Sequence, residues 1–414
     1  MLAILSLLAC RDPSTQHDKV PPAFDWNDTS IEDIPGDSGE TGDTGDTDDT
    51  GSTTHENADF MFLRDRVIEI AITVDEDDLN SLKRQPKEYV PASIVIDGER
   101  VKEVGIRLKG SSSFRKLRQK SAFKIDFNRF DDGQDFYGIG KLTLNNMLND
   151  ETQLHEVCAY AAFAAAGLPY SRVGYAWVTL NGDAYGLYAN IETPSKPWIE
   201  RLFGTEDGNL YEGGYPYYPE SYTHADFSNE EAGNFNLESG EDVATADTKA
   251  VAAQVQAKGA DWDTRVGALV DLEEYAKFQV AEAWVGQWDG YAFASNNYRV
   301  YFPADGSGMK MVPSGLDWTF TDYGSDWAHA ASPLGARCQA DSVCEARFAQ
   351  AAIDVTTAVD AADLGALLDV NAEMIRPYIE DDPRKELQIG SLDKAHETMR
   401  TWIRGRSEKV LKWY

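Results

Sequence analysis

Two acids and one amide stand at spaced positions in the second half of the chain. Asp289 follows a helical stretch, Asn297 directly precedes a predicted strand, and Asp317 comes just after the next predicted strand. Helix, acid, amide, two strands and a second acid is the order in which kinases carry a catalytic base, a metal-binding Asn and a metal-binding Asp. Each Asp alone would equally suit a turn or a helix cap. The order of the three residues therefore indicates phosphoryl transfer, which no single one of them does.

A lysine-bearing pair of strands precedes these residues. The run 105–114 ends in Gly110 and three serines, and the run 120–127 carries Lys124. Backbone N–H groups of a Gly/Ser turn and a nearby ammonium could together cover phosphate groups. A Ser-rich hairpin with a solvated lysine is the alternative interpretation of the same residues.

The elements that must position these residues are mostly strands in the first half of the chain. Alternating apolar residues predict the strands, and two Gly-containing turns, Asp97-Gly98 and Asn181-Gly182, predict hairpins. One helix is predicted at 151–166, because capping residues precede it and a Gly and a Pro follow it. The predicted strands are 66–74, 92–97, 101–109, 122–127, 141–146, 175–180 and 184–192.

The second half of the chain has mainly helical patterns. Residues 213–262 are rich in Gly, Tyr and Glu without clear periodicity, which predicts an irregular insertion. Apolar residues at helical spacing follow from Leu272 to Val285, then a short hairpin at 296–312, and the tail from 345 to 414 is mostly amphipathic helix.

The chain is strongly acidic. It carries 70 acidic and 38 basic side chains, a formal net charge of −32 at pH 7. A phosphate polyanion would be repelled over most of such a surface, so we expect no nucleic-acid partner. With 42% hydrophobic residues the chain can nevertheless bury a substantial core.

The N-terminal region predicts export and a lipid anchor. Residues 1–10 form an apolar run that is too short to span a bilayer and ends in Leu-Leu-Ala-Cys10. The run is typical of a secretory signal, and its last four residues resemble a bacterial lipobox, whose Cys would carry the lipid at the cell envelope or surface. Residues 11–58 are rich in Asp, Thr, Gly, Ser and Pro, which predicts a disordered acidic linker. Calcium binding by this segment is the alternative, although the spacing does not match an EF-hand loop.

The remaining cysteines fit an exported protein. Cys338 and Cys344 are separated by five residues in a polar stretch and are predicted to form a disulfide. Cys158 lies in an Ala-rich apolar helix and is predicted to be a buried, reduced residue. No Cys/His group has the spacing of zinc ligands.

Several segments occur in the order found in the spore coat protein H (CotH) family. The resemblance covers roughly 65–320, and the segments that carry it are 105–127, 142–169, 178–192, 208–212, 289–301 and 316–320. The resemblance implies an α+β, two-lobed, atypical protein-kinase-like fold, with a β-rich lobe at 59–192 and a mainly helical lobe at 193–414. It also implies that ATP and Mg²⁺ or Mn²⁺ bind between the lobes, and that a protein with Ser/Thr acceptors is the substrate.

The resemblance assigns roles to individual residues on the nucleotide side of that cleft. Lys124, with Lys120 as its rival, would reach the α- and β-phosphates of ATP. Glu156, on the predicted helix, could pair with that lysine. Glu192 falls where the chain would pass beside the adenine.

The catalytic and metal-binding roles fall on the three residues named first. Asp289 looks like the base that accepts the proton of the substrate hydroxyl, while Asn297 and Asp317 would hold the metal ions. Two departures from the family concern this site: Gly315 stands where the family commonly has a first acid, and the segment between Asp289 and Asn297 is two residues longer than expected.

Two other functions fit the same sequence. The departures leave open a catalytically inactive pseudokinase, which would act as a structural or binding protein of the cell or spore surface. Abundant Trp and Tyr together with paired acids leave open a carbohydrate-handling protein, whose carboxylates would have to lie roughly 5–10 Å apart.

Overall fold

The computed structural model describes residue 55 and residues 57–215, 217–218, 221–222, 224–323 and 326–414. The predicted signal at 1–10 and nearly all of the predicted linker at 11–58 lie outside the described residues. No helix within these ranges combines the length and the apolar composition needed to cross a membrane.

Seven strands form a closed barrel in the order β1-β2-β3-β4-β5-β7-β6. Neighbouring strands are antiparallel except at the closure, where β1 pairs with β6 in parallel, from Val67 opposite Tyr175 to Ile72 opposite Leu180. The predicted strands are confirmed to within a few residues. The barrel strands are β1 (Val67–Thr73), β2 (Val90–Ile96), β3 (Glu99–Lys109), β4 (Ala122–Asp126), β5 (Lys141–Asn145), β6 (Val173–Leu180) and β7 (Asp183–Glu192).

The closed barrel corrects the predicted architecture. The α+β class holds, but the prediction of a two-lobed, kinase-like fold is wrong, because the sheet closes on itself. The physical reason is the parallel β1–β6 pair, which satisfies backbone groups that the edge strands of an open sheet would leave unpaired. The predicted division of the chain at residue 192 stays a prediction, although the last barrel strand, β7, does end at Glu192.

The two faces of the barrel strands have different chemistry. Inside, apolar side chains such as Ile106, Leu108 and Phe123 form a buried core. Outside, β3, β4 and β5 present polar side chains, since alternate residues of a strand point to opposite faces. These outward residues on the three strands are Arg107, Lys109, Lys124, Thr143 and Asn145.

A second sheet and the helices pack outside the barrel around their own apolar core. The second sheet has the order β11-β8-β12-β13, and β9 and β10 pair as a separate ribbon. These strands are β8 (Gly208–Glu212), β9 (Tyr217–Tyr218), β10 (Ser221–Tyr222), β11 (Asn236–Ser239), β12 (Tyr298–Pro303) and β13 (Lys310–Pro313). The helices are α1 (Glu76–Arg84), α2 (His155–Ala165), α3 (Lys196–Phe203), α4 (Ala246–Gln256), α5 (Trp262–Gly267), α6 (Leu272–Val285), α7 (Tyr291–Ala294), α8 (Pro333–Ala340), α9 (Ser342–Glu345), α10 (Arg347–Ala361), α11 (Leu364–Asp381) and α12 (Ile389–Trp413).

Two local predictions need correction. The helix predicted at 151–166 begins only at His155, because the Asp150 carboxylate accepts the backbone N–H groups of Thr152 and His155 and holds the preceding residues in a turn. The insertion predicted as irregular at 213–262 contains the strand β11 and the helix α4.

The cysteine predictions are confirmed. Cys338 and Cys344 form a disulfide between α8 and α9, and Cys158 is free and buried on α2. Burial raises the pKa of the Cys158 thiol to about 12, so this thiol stays protonated and unreactive.

Candidate active site

Asp289 is held by two amides that follow it in the chain. The Nδ2 of Asn296 donates to the Asp289 Oδ1 at 3.0 Å, and the Nδ2 of Asn297 donates to its Oδ2 at 2.8 Å. Burial raises the pKa of the Asp289 carboxyl, and the two amides oppose that rise. Both carboxylate oxygens are therefore fixed in direction, as a proton acceptor requires.

Asp317 lies in a short 3-10 helix, Leu316–Trp318, that packs on α2. The Nδ2 of Asn149 donates to its Oδ2 at 3.2 Å, and the His155 Nδ1 lies 3.0 Å from its carbonyl oxygen. Its negative charge raises the pKa of Asp289 and of Glu156. The charge of Asp317 thus acts on two carboxyl groups that are distant from it in sequence.

Glu156 lies in the first turn of α2 and is 4% exposed. The Asn145 Nδ2, on the outer face of β5, donates to its Oε2 at 2.9 Å. Burial, followed by the charge of Asp317, raises the pKa of Glu156 to about 8, and Lys109 opposes that rise. At neutral pH this carboxyl is therefore mostly protonated in the absence of a cation.

Lys109 is a site residue that the sequence analysis missed. It is the last residue of β3, and it is the one cation whose charge lowers the pKa of Glu156. It has no ion-pair partner in the described part of the chain. The alternation of β3 could have indicated Lys109, because it shares the outward face of that strand with Arg107.

Lys124 faces the same side of the barrel but lies among other charges. It is opposite Arg107 in the β3–β4 register. Burial lowers the pKa of its ammonium to about 8, against the attraction of Glu212 and Glu238 on the second sheet. A cavity of about 230 Å³ between the barrel and β11 is lined by Lys124 and Glu238. The predicted contact of Lys124 with phosphate stays a prediction.

Lys120 and Glu192, also predicted to bind nucleotide, are both engaged in buried ion pairs. The Lys120 Nζ lies 2.7 Å from the Asp382 Oδ2, and both side chains are almost fully buried. Glu192 accepts from Arg172 at 2.8 Å and from Arg201 at 2.7 Å, and these two arginines lower its pKa although burial opposes them. Both residues therefore have a structural role, and their predicted nucleotide contacts stay predictions.

Buried contacts behind Asp289 hold the segment that carries it. The Glu282 carboxylate on α6 accepts the N–H of Tyr291 at 2.9 Å and that of Ala292 at 2.7 Å. On the other side of α6, the buried Arg406 of α12 donates through its Nε to the carbonyl oxygens of Ala283 and Trp284 at 3.0 and 3.1 Å. The end of α6 is thus fixed from two directions.

The donor atoms at this site suit a hard divalent cation. Asp289 and Asp317 offer carboxylate oxygens, and the Oδ1 of Asn297 remains for a cation because its Nδ2 donates to Asp289. Mg²⁺ is commonly bound by one or two carboxylates together with substrate phosphates. The residues therefore fit Mg²⁺ or Mn²⁺ that is shared with a phosphorylated substrate.

A different set of residues forms the one compact metal-ligand group found among the described residues. The ligand atoms of His224, Asp226 and Glu231 all lie within 4.8 Å of one another. Asp289 and Asp317 are not part of such a group within the described residues.

Comparison with known proteins bears on most of this chain. A family model described as CotH kinase protein matches residues 106–410, from within β3 to within α12. The match includes Lys109, Glu156, Asp289, Asn297 and Asp317. No curated protein sequence matches the chain.

Proposed function

Since this chain belongs to the CotH kinase protein family, we propose that it transfers the γ-phosphate of ATP to a Ser or Thr hydroxyl of an acceptor protein. One observation supports the proposal above all. Asp289, Asp317 and Glu156 come from three separate elements, yet Asp317 acts on the pKa of both other acids, next to the amide of Asn297. Burial raises the pKa of both Asp289 and Glu156, and perturbed acids of this kind cluster at functional sites.

The proposed chemistry assigns Asp289 the role of base. The acceptor oxygen forms a bond to the γ-phosphorus, the bond from that phosphorus to the bridging oxygen breaks, and ADP leaves. Asp289 takes the proton of the acceptor hydroxyl. Its two oxygens are held by Asn296 and Asn297, and its raised pKa brings it closer to the working pH, which favours proton transfer.

Asp317 and the Oδ1 of Asn297 are the residues that would hold Mg²⁺ or Mn²⁺. When bound, such a cation neutralises the negative charge of the phosphates. Lys109 is proposed to contact the phosphates, because its charge acts on the pKa of Glu156 while it has no ion-pair partner among the described residues. Lys124 lines the cavity farther along the same outward face, and we propose that it contacts the nucleotide there.

The alternative is a pseudokinase that binds a partner without transferring phosphate. The observation that favours it is Gly315, which stands where the family commonly has an acid and removes one potential metal ligand. Such a protein would use the same site for binding and would act as a structural component of the cell or spore surface.

Phosphate transfer from γ-labelled ATP to a Ser-rich acceptor protein, with Mg²⁺ or Mn²⁺, tests the proposal. We expect transfer by the wild type and by Asp131→Ala, an exposed acid on a barrel turn, and none by Asp317→Ala. Thermal shifts with ATP and each metal report binding separately, because a ligand of the folded state raises its stability. Binding without transfer in the wild type would support the pseudokinase instead.

We also propose that the protein acts outside the cytoplasm, anchored through a lipid on Cys10. The Cys338–Cys344 disulfide supports this location, since such bonds persist mainly in oxidising compartments. Metabolic labelling with a fatty-acid analogue tests the anchor. Label should appear in the wild type and be absent from Cys10→Ser, and equal labelling of both would refute it.

A further inference from the structure

The segment between Asp289 and β12 contains two residues in an unfavourable backbone conformation. Ser295 has φ +49° and Asn297 has φ +47°, both in the left-handed region although neither is glycine. Residues with a Cβ adopt this region at a cost, and they keep it only where the surroundings hold them there. Asn296 and Asn297 lie in this strained stretch and donate to Asp289, so their direction depends on whatever holds Ser295.

His224 holds Ser295 from the insertion. Its Nε2 lies 3.0 Å from the Ser295 carbonyl oxygen, and its Nδ1 lies 2.8 Å from the Glu231 Oε2. The Ser295 carbonyl oxygen can only accept, so the Nε2 of His224 donates to it. The Nδ2 of Asn234 donates to the His224 carbonyl oxygen at 2.7 Å, which fixes the backbone of the histidine in turn.

Contacts on either side of His224 hold the same segment. The Tyr298 hydroxyl donates to the Ala225 carbonyl oxygen at 2.9 Å. Ala225 and Gly214 exchange two backbone hydrogen bonds, of 2.7 and 3.0 Å. A Cβ at Gly214 would lie 2.6 Å from the Asn296 Oδ1, so only glycine permits this close approach. The insertion thus contacts the residues before, at and after Asn296.

We propose that His224 is a positioning residue for the active site. By bonding to Ser295 it keeps the left-handed backbone in place, so that the carboxamides of Asn296 and Asn297 stay on the Asp289 carboxylate. His224 bonds to neither of these carboxamides nor to Asp289, so it acts through Ser295 alone. The inference rests on the proposed function for its effect on rate, but the ordering of the segment is independent of that function.

Two readouts test the proposal, amide hydrogen exchange at residues 295–298 and the rate of phosphate transfer. His224→Phe removes the donor to Ser295, and we expect faster exchange at these amides and a loss of kcat of about 10- to 100-fold with little change in the KM for ATP. His224→Gln keeps one N–H that can reach Ser295 and should recover most of both. His329→Gln, an exposed histidine bonded to Asp326, is the matched control and should behave as wild type.

A second change makes the test independent of simple damage to the fold. Glycine adopts the left-handed region without support, so Ser295→Gly in the His224→Phe background should restore slow exchange and part of the rate. If His224→Phe does not fold, His224→Leu, which also lacks a donor, replaces it in the same pair.

Unchanged exchange in the Phe variant, or no recovery in both the Gln variant and the double variant, would overturn the positioning role. If the wild type transfers no phosphate, the proposed function fails, but the exchange measurements still decide whether His224 positions the segment.

Discussion

A Cβ built on Gly315 would lie 2.8 Å from the Oδ1 of Asn297. Gly315 also has φ +60°, a conformation in which a side chain is strained. Gly315, at the position where the resemblance leads us to expect an acid, and Asn297, the amide predicted to bind metal, therefore occupy adjoining space.

Gly315→Ala tests this relationship. The methyl group should displace the Asn297 carboxamide, so we expect a smaller thermal shift with Mg²⁺ and ATP than in the wild type. Gly306→Ala is the control, because Gly306 also has positive φ but has no atom within 4 Å of its added Cβ. Both variants should lose about 1 kcal/mol of stability or somewhat more from backbone strain. Equal ligand shifts in the two variants would show that position 315 has no connection with the metal site.

Asp289→Asn should separate binding from chemistry. The variant removes the proton acceptor but leaves the volume of the side chain unchanged. We expect ATP binding close to that of the wild type and a transfer rate lower by about 10²- to 10⁴-fold, the usual contribution of a general base. Isothermal titration and single-turnover transfer measure the two quantities. Lost binding would instead assign Asp289 to the metal.

The two lysines on the outward face of the barrel should differ. Lys109→Met should weaken ATP binding more than Lys124→Met, because Lys109 has no ion-pair partner among the described residues, whereas Glu212 and Glu238 already attract the Lys124 ammonium. Titration of each variant with ATP and Mg²⁺ measures the difference. A larger loss in Lys124→Met would restore the assignment that the sequence favoured.

Lys120→Met should destabilise the fold. It leaves the Asp382 carboxylate buried without its cation, which typically costs about 3–5 kcal/mol. Adding Asp382→Asn should recover part of that loss. Lys412→Met breaks an exposed pair with Glu408 and should cost at most about 1 kcal/mol. Chemical denaturation of the three variants and the wild type measures these values, and a small loss in Lys120→Met would show that the buried pair contributes little.

Glu156 should make stability depend on pH. Its pKa is about 8 in the folded protein against 4.5 for the free side chain, so its contribution is fully present below pH 4.5 and is lost as the pH rises through 8. Glu156→Gln cannot ionise, and its melting temperature relative to the wild type should rise between pH 5 and pH 9. Glu282 has a pKa raised by burial to about 8 as well, so the variant should retain part of the pH dependence. A constant difference in melting temperature between the two proteins from pH 5 to pH 9 would mean that Glu156 is ionised throughout that range.

The strands could be predicted from the sequence because their signal is local. Alternating apolar residues and Gly-containing turns located all seven barrel strands. The closure could not be predicted, since the pairing of Val67 with Tyr175 joins residues that no short pattern connects. Pairing of distant segments is decided by the packing of the whole sheet, which periodicity does not report.

The order of residues along the chain indicated which acids and amide belong to the candidate site, and the roles assigned to them stay predictions. Asp289, Asn297 and Asp317 follow the kinase order, and Asn297 does bond to Asp289 while Asp317 acts on the pKa of Asp289. The partners of the lysines could not be predicted, because the residue type alone does not tell with which acid a lysine forms an ion pair. The partner of Lys120 is Asp382, more than half the chain away, and that ion pair leaves no trace in the local sequence.

The bond between Arg406 and the end of α6 affects when this helix is fully supported. Arg406 lies 123 residues after Ala283, whose carbonyl it binds, so the helix leading to Asp289 gains this support only after α12 has docked. Contacts between such distant residues form late, because a long loop must close first. If the chain crosses a membrane unfolded, α6 would gain this support only once α12 has emerged on the far side.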